Sequence, residues 1–161
     1  MDAFQRELLD LLPRLRRFAR SLARDHADAD DLLQAAVQRG LERRASFKAG
    51  TRLDSWMFTV MKNAWIDETR ARARRGRVVL ADKDGAGVAD TAAPDLVAAD
   101  AVERALRRLP DDQRLAVSLV LIEGLSYAEA AEVMETPVGT LTSRLGRGRT
   151  ALMAELDGLG G

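Results

Sequence analysis

Apolar residues in this chain recur at intervals of three and four almost throughout, and that spacing commits it to helices. Near the N-terminus Phe4, Leu8, Leu11, Leu12, Leu15, Phe18, Ala19 and Leu22 form one stripe that must face a core. No alternating run suited to a strand and no internal repeat interrupts the pattern, so the expected fold class is all-α. One stretch breaks it: "VVLADKDGAGVADTAAPDLVA", residues 78–98, combines two glycines, a proline, small residues and acids. It reads as a linker. The chain therefore divides into a helical bundle over 1–77, an acidic linker over 78–98 and a second small helical domain over 99–161.

Charge follows the same division. Residues 1–77 carry 17 Lys+Arg against 11 Asp+Glu, residues 78–103 carry 1 against 6, and residues 104–161 carry 7 against 8, so a formal net charge of zero conceals a basic first domain and an acidic joint. With no cysteine, disulfides and thiolate metal sites are excluded, and the single histidine, His26, cannot build an imidazole cluster. No metal and no cofactor is expected. His26 lies in the polar run "RDHADADD" and reads as a solvated loop residue. No apolar run is long enough to span a bilayer, and the N-terminus alternates charge with apolar residues, so the chain reads as cytoplasmic, without membrane insertion.

Two further helices follow in the first domain. Over about 29–44, Leu32, Leu33, Ala36 and Val37 crowd one side, with Asp31, Gln34, Gln38 and Glu42 in a row opposite, either a wet face or a docking strip. Over about 52–75, Leu53, Trp56, Met57, Val60, Met61 and Ala64 face inward, while Thr59, Lys62, Asn63 and Arg70 lie opposite. Trp56 reads as core. That helix ends in "RARARRGR", where Arg70, Arg72, Arg74, Arg75 and Arg77 repel one another unless a polyanion or an acidic partner neutralises them.

In the second domain, helices over 102–109 and 112–123 flank "LPDD", with Pro110 at a helix start. Ser126 and Glu129 make an S-x-x-E capping box opening a short helix that ends near Met134. Thr136 is placed to cap the next helix, with Pro137 in its first turn. A short helix, a tight turn and a longer helix constitute a helix-turn-helix. On the longer helix Val138, Leu141, Leu145, Leu152 and Leu156 share a side; Gly139, Thr140, Ser143, Arg147 and Thr150 lie opposite, with Arg144 on their flank. Small, hydroxylated and cationic, that face suits a DNA major groove, and it contains no acid to repel phosphates.

These residues resemble the extracytoplasmic-function sigma factors of bacterial RNA polymerase, the compact group retaining only sigma regions 2 and 4. Region 2 is carried by "ADDLLQAAVQRGL" and "FKAGTRLDSWMFTVMKNAWIDETRARARR", region 4 by "LPDDQRLAVSLVLIEGLSYAEAAEVMETPVGTLTSRLGRGR". "FKAGT", "WMFT" and "LPDDQR" lean toward the general-stress subgroup. The resemblance implies a promoter-reading initiation factor without catalysis of its own. It implies polymerase docking through Asp31, Gln34 and Arg39. At the minus-ten element Phe47, Lys48, Arg52, Lys62, Asn63 and Arg70 would hold the nontemplate strand with a base turned out of the stack. At the minus-thirty-five element Thr142, Ser143 and Arg147 would read bases, with Thr140 and Arg144 on the backbone. Core RNA polymerase, promoter DNA and an anti-sigma factor are the implied partners, and the acidic linker would thread the polymerase's positively lined channels.

The sequence departs from the family pattern at four places. Ala35 stands where Glu is usual, Thr142 replaces a common Lys or Arg, Glu135 occupies a turn position usually held by Gly, and Gly146 replaces a larger side chain. With Gly148 this puts two glycines in one helix, at roughly 1 kcal/mol each relative to alanine. The alternative is a sigma-like decoy that sequesters an anti-sigma factor without touching DNA; such decoys are typically fused to a receiver domain, and the retained basic residues argue against it. An ordinary helix-turn-helix regulator leaves the basic first domain unexplained, and no nucleophile–base pair or metal cluster supports an enzyme.

Overall fold

The computed structural model describes residues 1–76 and 94–160, with side chains described over 1–76 and 100–158. Seven α-helices account for almost all of the described chain: α1 (Ala3–Leu22), α2 (His26–Glu42), α3 (Leu53–Gly76), α4 (Pro94–Arg107), α5 (Asp111–Val117), α6 (Tyr127–Met134) and α7 (Val138–Gly160). Among the described residues there is no strand, as the periodicity requires. The linker read over 78–98 lies outside the described residues as far as 93, and so does Arg77. Its last five residues differ from expectation, because α4 begins at Pro94. Proline has no N–H to lose at a helix start, and "DLVAADAVERALR" supplies the apolar repeat that continues it.

The first three helices pack around Leu8, Leu15, Phe18, Leu22, Leu32, Leu33, Ala36, Met57, Phe58 and Met61, all buried. Each of the Leu, Phe and Met side chains among them contributes about 1.5–3 kcal/mol relative to exposure. Phe18 and Phe58 meet edge to face with ring centroids 5.0 Å apart. Gly40 lets α2 lie close to α3, since a Cβ there would stand 2.7 Å from the Met57 sulfur. Helix entry is set by short polar residues: the Asp2 carboxylate accepts the Gln5 amide and Asp25 accepts the Asp28 amide.

His26 corrects the sequence reading. It is the first residue of α2, half-buried, and its Nε2 lies 2.8 Å from Glu103 on α4. The run "DHADADD" is polar because Asp25 caps α2 and the following residues bear its acidic N-terminus, which the helix dipole favours; it is not a loop.

The second module comprises α4 to α7, around Leu106, Leu115, Val117, Leu119, Val133, Leu141 and Leu145. The helix expected over 112–123 is instead α5 followed by a π-helical turn, Ser118–Ile122, with the Glu123 amide donating to the Ser118 carbonyl at 2.9 Å. The wider turn ends at Gly124, whose φ of 76° reverses the chain at a conformation that glycine adopts without strain. Val138, assigned to the core side of α7, is 46% exposed because it stands at the very first turn, beyond the reach of the core.

The two modules share one continuous apolar core. Arg114 stitches it: its buried guanidinium donates to the Leu22 carbonyl at 2.8 Å, closing the C-terminus of α1, and to the Arg107 and Leu109 carbonyls at 3.1 Å, closing that of α4. Burial pushes its pKa down, partly offset by Asp111, but a guanidinium stays charged.

The two glycines of α7 have opposite roles. A Cβ on Gly148 would stand 2.7 Å from Val117 and 3.0 Å from the Gln113 carbonyl, whereas nothing lies within 4 Å of one on Gly146. Gly148→Ala should therefore cost about 1–3 kcal/mol by forcing α7 off α5, while Gly146→Ala should stabilise by about 1 kcal/mol. Urea unfolding of the two variants checks both signs.

Candidate nucleic-acid interface

The helix-turn-helix is built as its local chemistry demands. Ser126 and Glu129 complete the capping box, the serine hydroxyl accepting the Glu129 amide at 3.1 Å and the Glu129 carboxylate accepting the Ser126 amide at 2.8 Å. Helix α6 stops at Glu135, which has φ 56° and is the only non-glycine among the described residues in the left-handed region. Thr136 does not cap α7. Its hydroxyl is buried without a hydrogen-bond partner among the described residues, while its amide donates to the Ala131 carbonyl at 3.0 Å and so spends the residue on closing α6.

On α7 the expected face is open. Thr142, Ser143 and Arg147 are exposed, with Thr140 half-buried beside them. The Thr142 hydroxyl donates back to the Val138 carbonyl at 2.9 Å, which leaves its methyl and an acceptor lone pair outward. Arg144 sits 3.3 Å from Asp112, so its guanidinium is held at the flank of this face.

The first module brings part of its expected set together. Phe47 packs with Phe4 and Trp56, ring centroids 5.8 and 5.4 Å away, and Phe4 meets Trp56 at 6.2 Å. This aromatic triangle holds the loop that follows, where the Thr51 hydroxyl and amide both donate to the Lys48 carbonyl and Gly50 takes φ 91°. Lys48 projects from that turn into solvent, and Asn63 is half-buried on α3. Arg52 donates to Asp54 at 2.7 and 3.1 Å, and Arg14 donates to the same carboxylate at 3.0 Å.

Lys62 departs most from expectation. Helical spacing puts it on the outer face of α3, yet its side chain is only 4% exposed because the second module covers it, and its Nζ donates to Glu135 at 2.7 Å. Arg52 likewise reaches across to Glu129. Glu123, fully buried at its carboxylate, accepts two hydrogen bonds from Arg17 at 2.8 and 3.0 Å. The arginine-rich end of α3 is also less bare than it reads, since Arg72 pairs with Asp28 at 2.9 Å and Arg75 with Glu68 at 3.0 Å. Arg70 lies exposed beside a cleft of about 330 Å³ between α3 and the second module, floored by Ile66, Leu115 and Met134.

On α2, Asp31, Gln34, Gln38 and Glu42 are all exposed, so the polar row does face outward. Arg39 is half-buried and donates to Asp67 at 3.0 Å. Between them Ala35 lines a groove of about 300 Å³ with Asp31, Leu32 and Trp65. His26, Asp100 and Glu103 bring three donor atoms within 4.8 Å of one another. Arg104 and Arg107 already share those carboxylates, so the cluster is an ion-paired joint between α2 and α4.

Sequence reasoning missed the acids that face these bases: Asp54, Glu123, Glu129 and Glu135. Apart from Arg52, two residues before Asp54, their partners lie far away in the chain, and a further local signal was a glutamate at a turn position that favours glycine.

Three comparisons bear on what this surface does. Residues 8–75 match the family profile described as Sigma-70 region 2, and residues 99–152 match Sigma-70, region 4. The chain is 35% identical over 159 residues to the ECF RNA polymerase sigma factor EcfG of Rhodopseudomonas palustris, covering 96% of this chain and 86% of that one. It is 37% identical over 138 residues to the ECF RNA polymerase sigma factor SigM of Mycobacterium tuberculosis, covering 86% and 69%. Among solved structures it is similar to the sigma factor RpoE in complex with the anti-sigma factor NepR from Bartonella quintana, with 33% identity, a TM-score of 0.82 and 98% of each chain covered.

Three carboxyls at the junction are held below their ordinary pKa. Burial would raise Asp54, but hydrogen bonds from Arg52, the Ser55 amide and Arg14 outweigh it. The Ser126 amide lowers Glu129, with Arg52 adding to it, and Lys62 lowers Glu135. A depressed carboxyl stabilises the folded state above the ordinary carboxylate range, and that contribution is lost as the pH falls through the folded value. The urea midpoint should therefore be level from neutral pH down to the ordinary carboxylate range and drop below it, with a smaller drop in Asp54→Asn.

Proposed function

We propose, from the premise that the chain belongs to the extracytoplasmic-function family of RNA polymerase sigma factors, the following division of its surface. Asp31, Gln34 and Arg39 dock the core polymerase. Phe47, Lys48, Arg52, Lys62, Asn63 and Arg70 hold the separated nontemplate strand at the minus-ten element, the cations on phosphates and the loop around an unstacked base. Thr142, Ser143 and Arg147 read the minus-thirty-five duplex in the major groove, with Thr140 and Arg144 on its backbone. The chain supplies no catalysis of its own, works in the cytoplasm and is controlled by an anti-sigma factor.

The observation that carries this reading is the order of the two matched regions together with the open face of α7 over residues 139–150, which carries no acid. Among the described residues no helix is long and apolar enough to cross a membrane. Anti-sigma control rests on the likeness to a sigma factor solved with an anti-sigma factor bound.

Run-off transcription with core polymerase on fragmented genomic DNA is the direct test. Start sites should align on two shared upstream elements, and absence of any transcript overturns the reading. If the chain captures an anti-sigma factor from cells but no polymerase, the decoy alternative replaces it. Arg147→Ala should weaken promoter binding by about 1–3 kcal/mol, and Asp31→Ala should weaken polymerase binding with promoter preference intact. Neutralising Arg70 and Arg74 should lower the slope of log affinity against log salt by roughly 0.7–0.9 for each phosphate no longer held.

A further inference from the structure

Helix α7 carries an apolar edge that its polar assignment leaves without a role. Val138, its first residue, is 46% exposed, and Thr142 stands one turn on, on the same side. A threonine on such a face ordinarily offers its hydroxyl. Here the hydroxyl donates to the Val138 carbonyl at 2.9 Å, so its one hydrogen is engaged inside the helix and the methyl is left to face outward. Ser143 and Arg147, on the adjoining strip, make no side-chain hydrogen bond or ion pair among the described residues, and their donors remain available.

The positions three before and four after Thr142 are its neighbours on the helix surface, and both are glycine. Nothing lies within 4 Å of where a Cβ would stand on Gly139 or on Gly146. Gly146 weakens the helix interior without admitting any neighbour from the protein. A molecule approaching this side of α7 therefore reaches the backbone on both sides of the Thr142 methyl.

The chemistry of base edges narrows what fits there. In the major groove thymine presents a 5-methyl group, whereas guanine presents two acceptors, N7 and O6, and no donor. A hydroxyl whose hydrogen is already engaged can only accept, so opposite guanine it leaves acceptors facing an acceptor, with none of them satisfied. Methyl against methyl needs no donor and withdraws both groups from water.

We propose that Thr142 reads by its methyl alone: on the edge begun by Val138 it takes the 5-methyl of a thymine in the upstream duplex, and guanine is excluded from that position. This rests on the promoter-reading role proposed above and adds to it the base that one residue selects. Recognition on α7 is then divided, hydrogen-bonded readout falling to Ser143 and Arg147 and methyl readout to Thr142.

The test takes core polymerase with the chain bound and a promoter recovered by run-off transcription, its upstream element randomised, and selects the duplexes that are retained. Wild type should enrich thymine at the position that Thr142 controls. Thr142→Val keeps the methyl and drops the hydroxyl, and should keep that preference. Thr142→Ser keeps the hydroxyl and drops the methyl, and should lose the preference there while the other positions stay as they were. Position 142 is exposed, so both variants keep the fold, which far-UV circular dichroism checks. Deoxyuridine in place of that thymidine removes the 5-methyl alone; it should weaken wild-type binding about fourfold and change Thr142→Ser by less than about twofold. Loss of the preference in Thr142→Val, enrichment of guanine or cytosine at the position, no change at any position in Thr142→Ser, or equal binding of uridine and thymidine by wild type overturns the methyl readout and leaves the promoter-reading role standing. No transcript from any template, or no upstream preference in wild type, sinks that role and the methyl readout with it.

Discussion

Arg114 is the contact on which the described arrangement most depends. Helix ends leave carbonyls without partners, and a buried end without a cap is costly. Here one guanidinium from α5 closes the ends of both α1 and α4, bonding to Leu22, Arg107 and Leu109. Because α1 belongs to the first module and α4 to the second, satisfying those carbonyls also joins the modules. An arginine can do this where a lysine could not, since its planar fork presents several donors at fixed angles and remains charged when buried. The desolvation penalty is met by three carbonyl dipoles, with Asp111 3.6 Å away.

Around that joint the contacts grade from dry to wet. Leu106, Val117 and Leu119 are fully buried near it, and Glu123 with Arg14 and Arg17 forms the next layer, buried on the acid side only. Farther out, Glu129 and Glu135 reach cations whose partners face solvent at one end. An apolar contact has no comparable competitor in solution, while an exposed ion pair competes with salt and with phosphate. The order of strength is therefore also an order of release, with the outer charge pairs yielding first and the Arg114 joint last.

Much of this was legible because it is local. The apolar repeats gave the helices, the S-x-x-E spacing gave the cap of α6, and the polar row of α2 faces solvent as its periodicity required. What escaped is set by residues distant in sequence. Lys62 reads as an outer residue because only α6, more than sixty positions on, covers it. His26 reads as loop until Glu103 is opposite it. The π turn after α5 cannot be read from a 3.6-residue repeat, because it adds a residue to one turn without altering composition. Val138 and Thr136 fell at a helix boundary, where one residue of shift exchanges a cap for a closing contact. Among the site residues, exposure could be anticipated on α7, whose outer face meets nothing, and not on α3, whose outer face meets the other half of the chain.

The zero net charge is reached by segments of opposite sign, the basic first domain being offset mostly by the acidic stretch over 78–103. Cations gathered on one face repel one another unless acids accompany them. Some of those acids stand in the same module, Asp54 beside Arg52 and Asp28 beside Arg72. Others, Glu129 and Glu135, stand in the second module against Arg52 and Lys62, so those two pairs exist only while the modules are together.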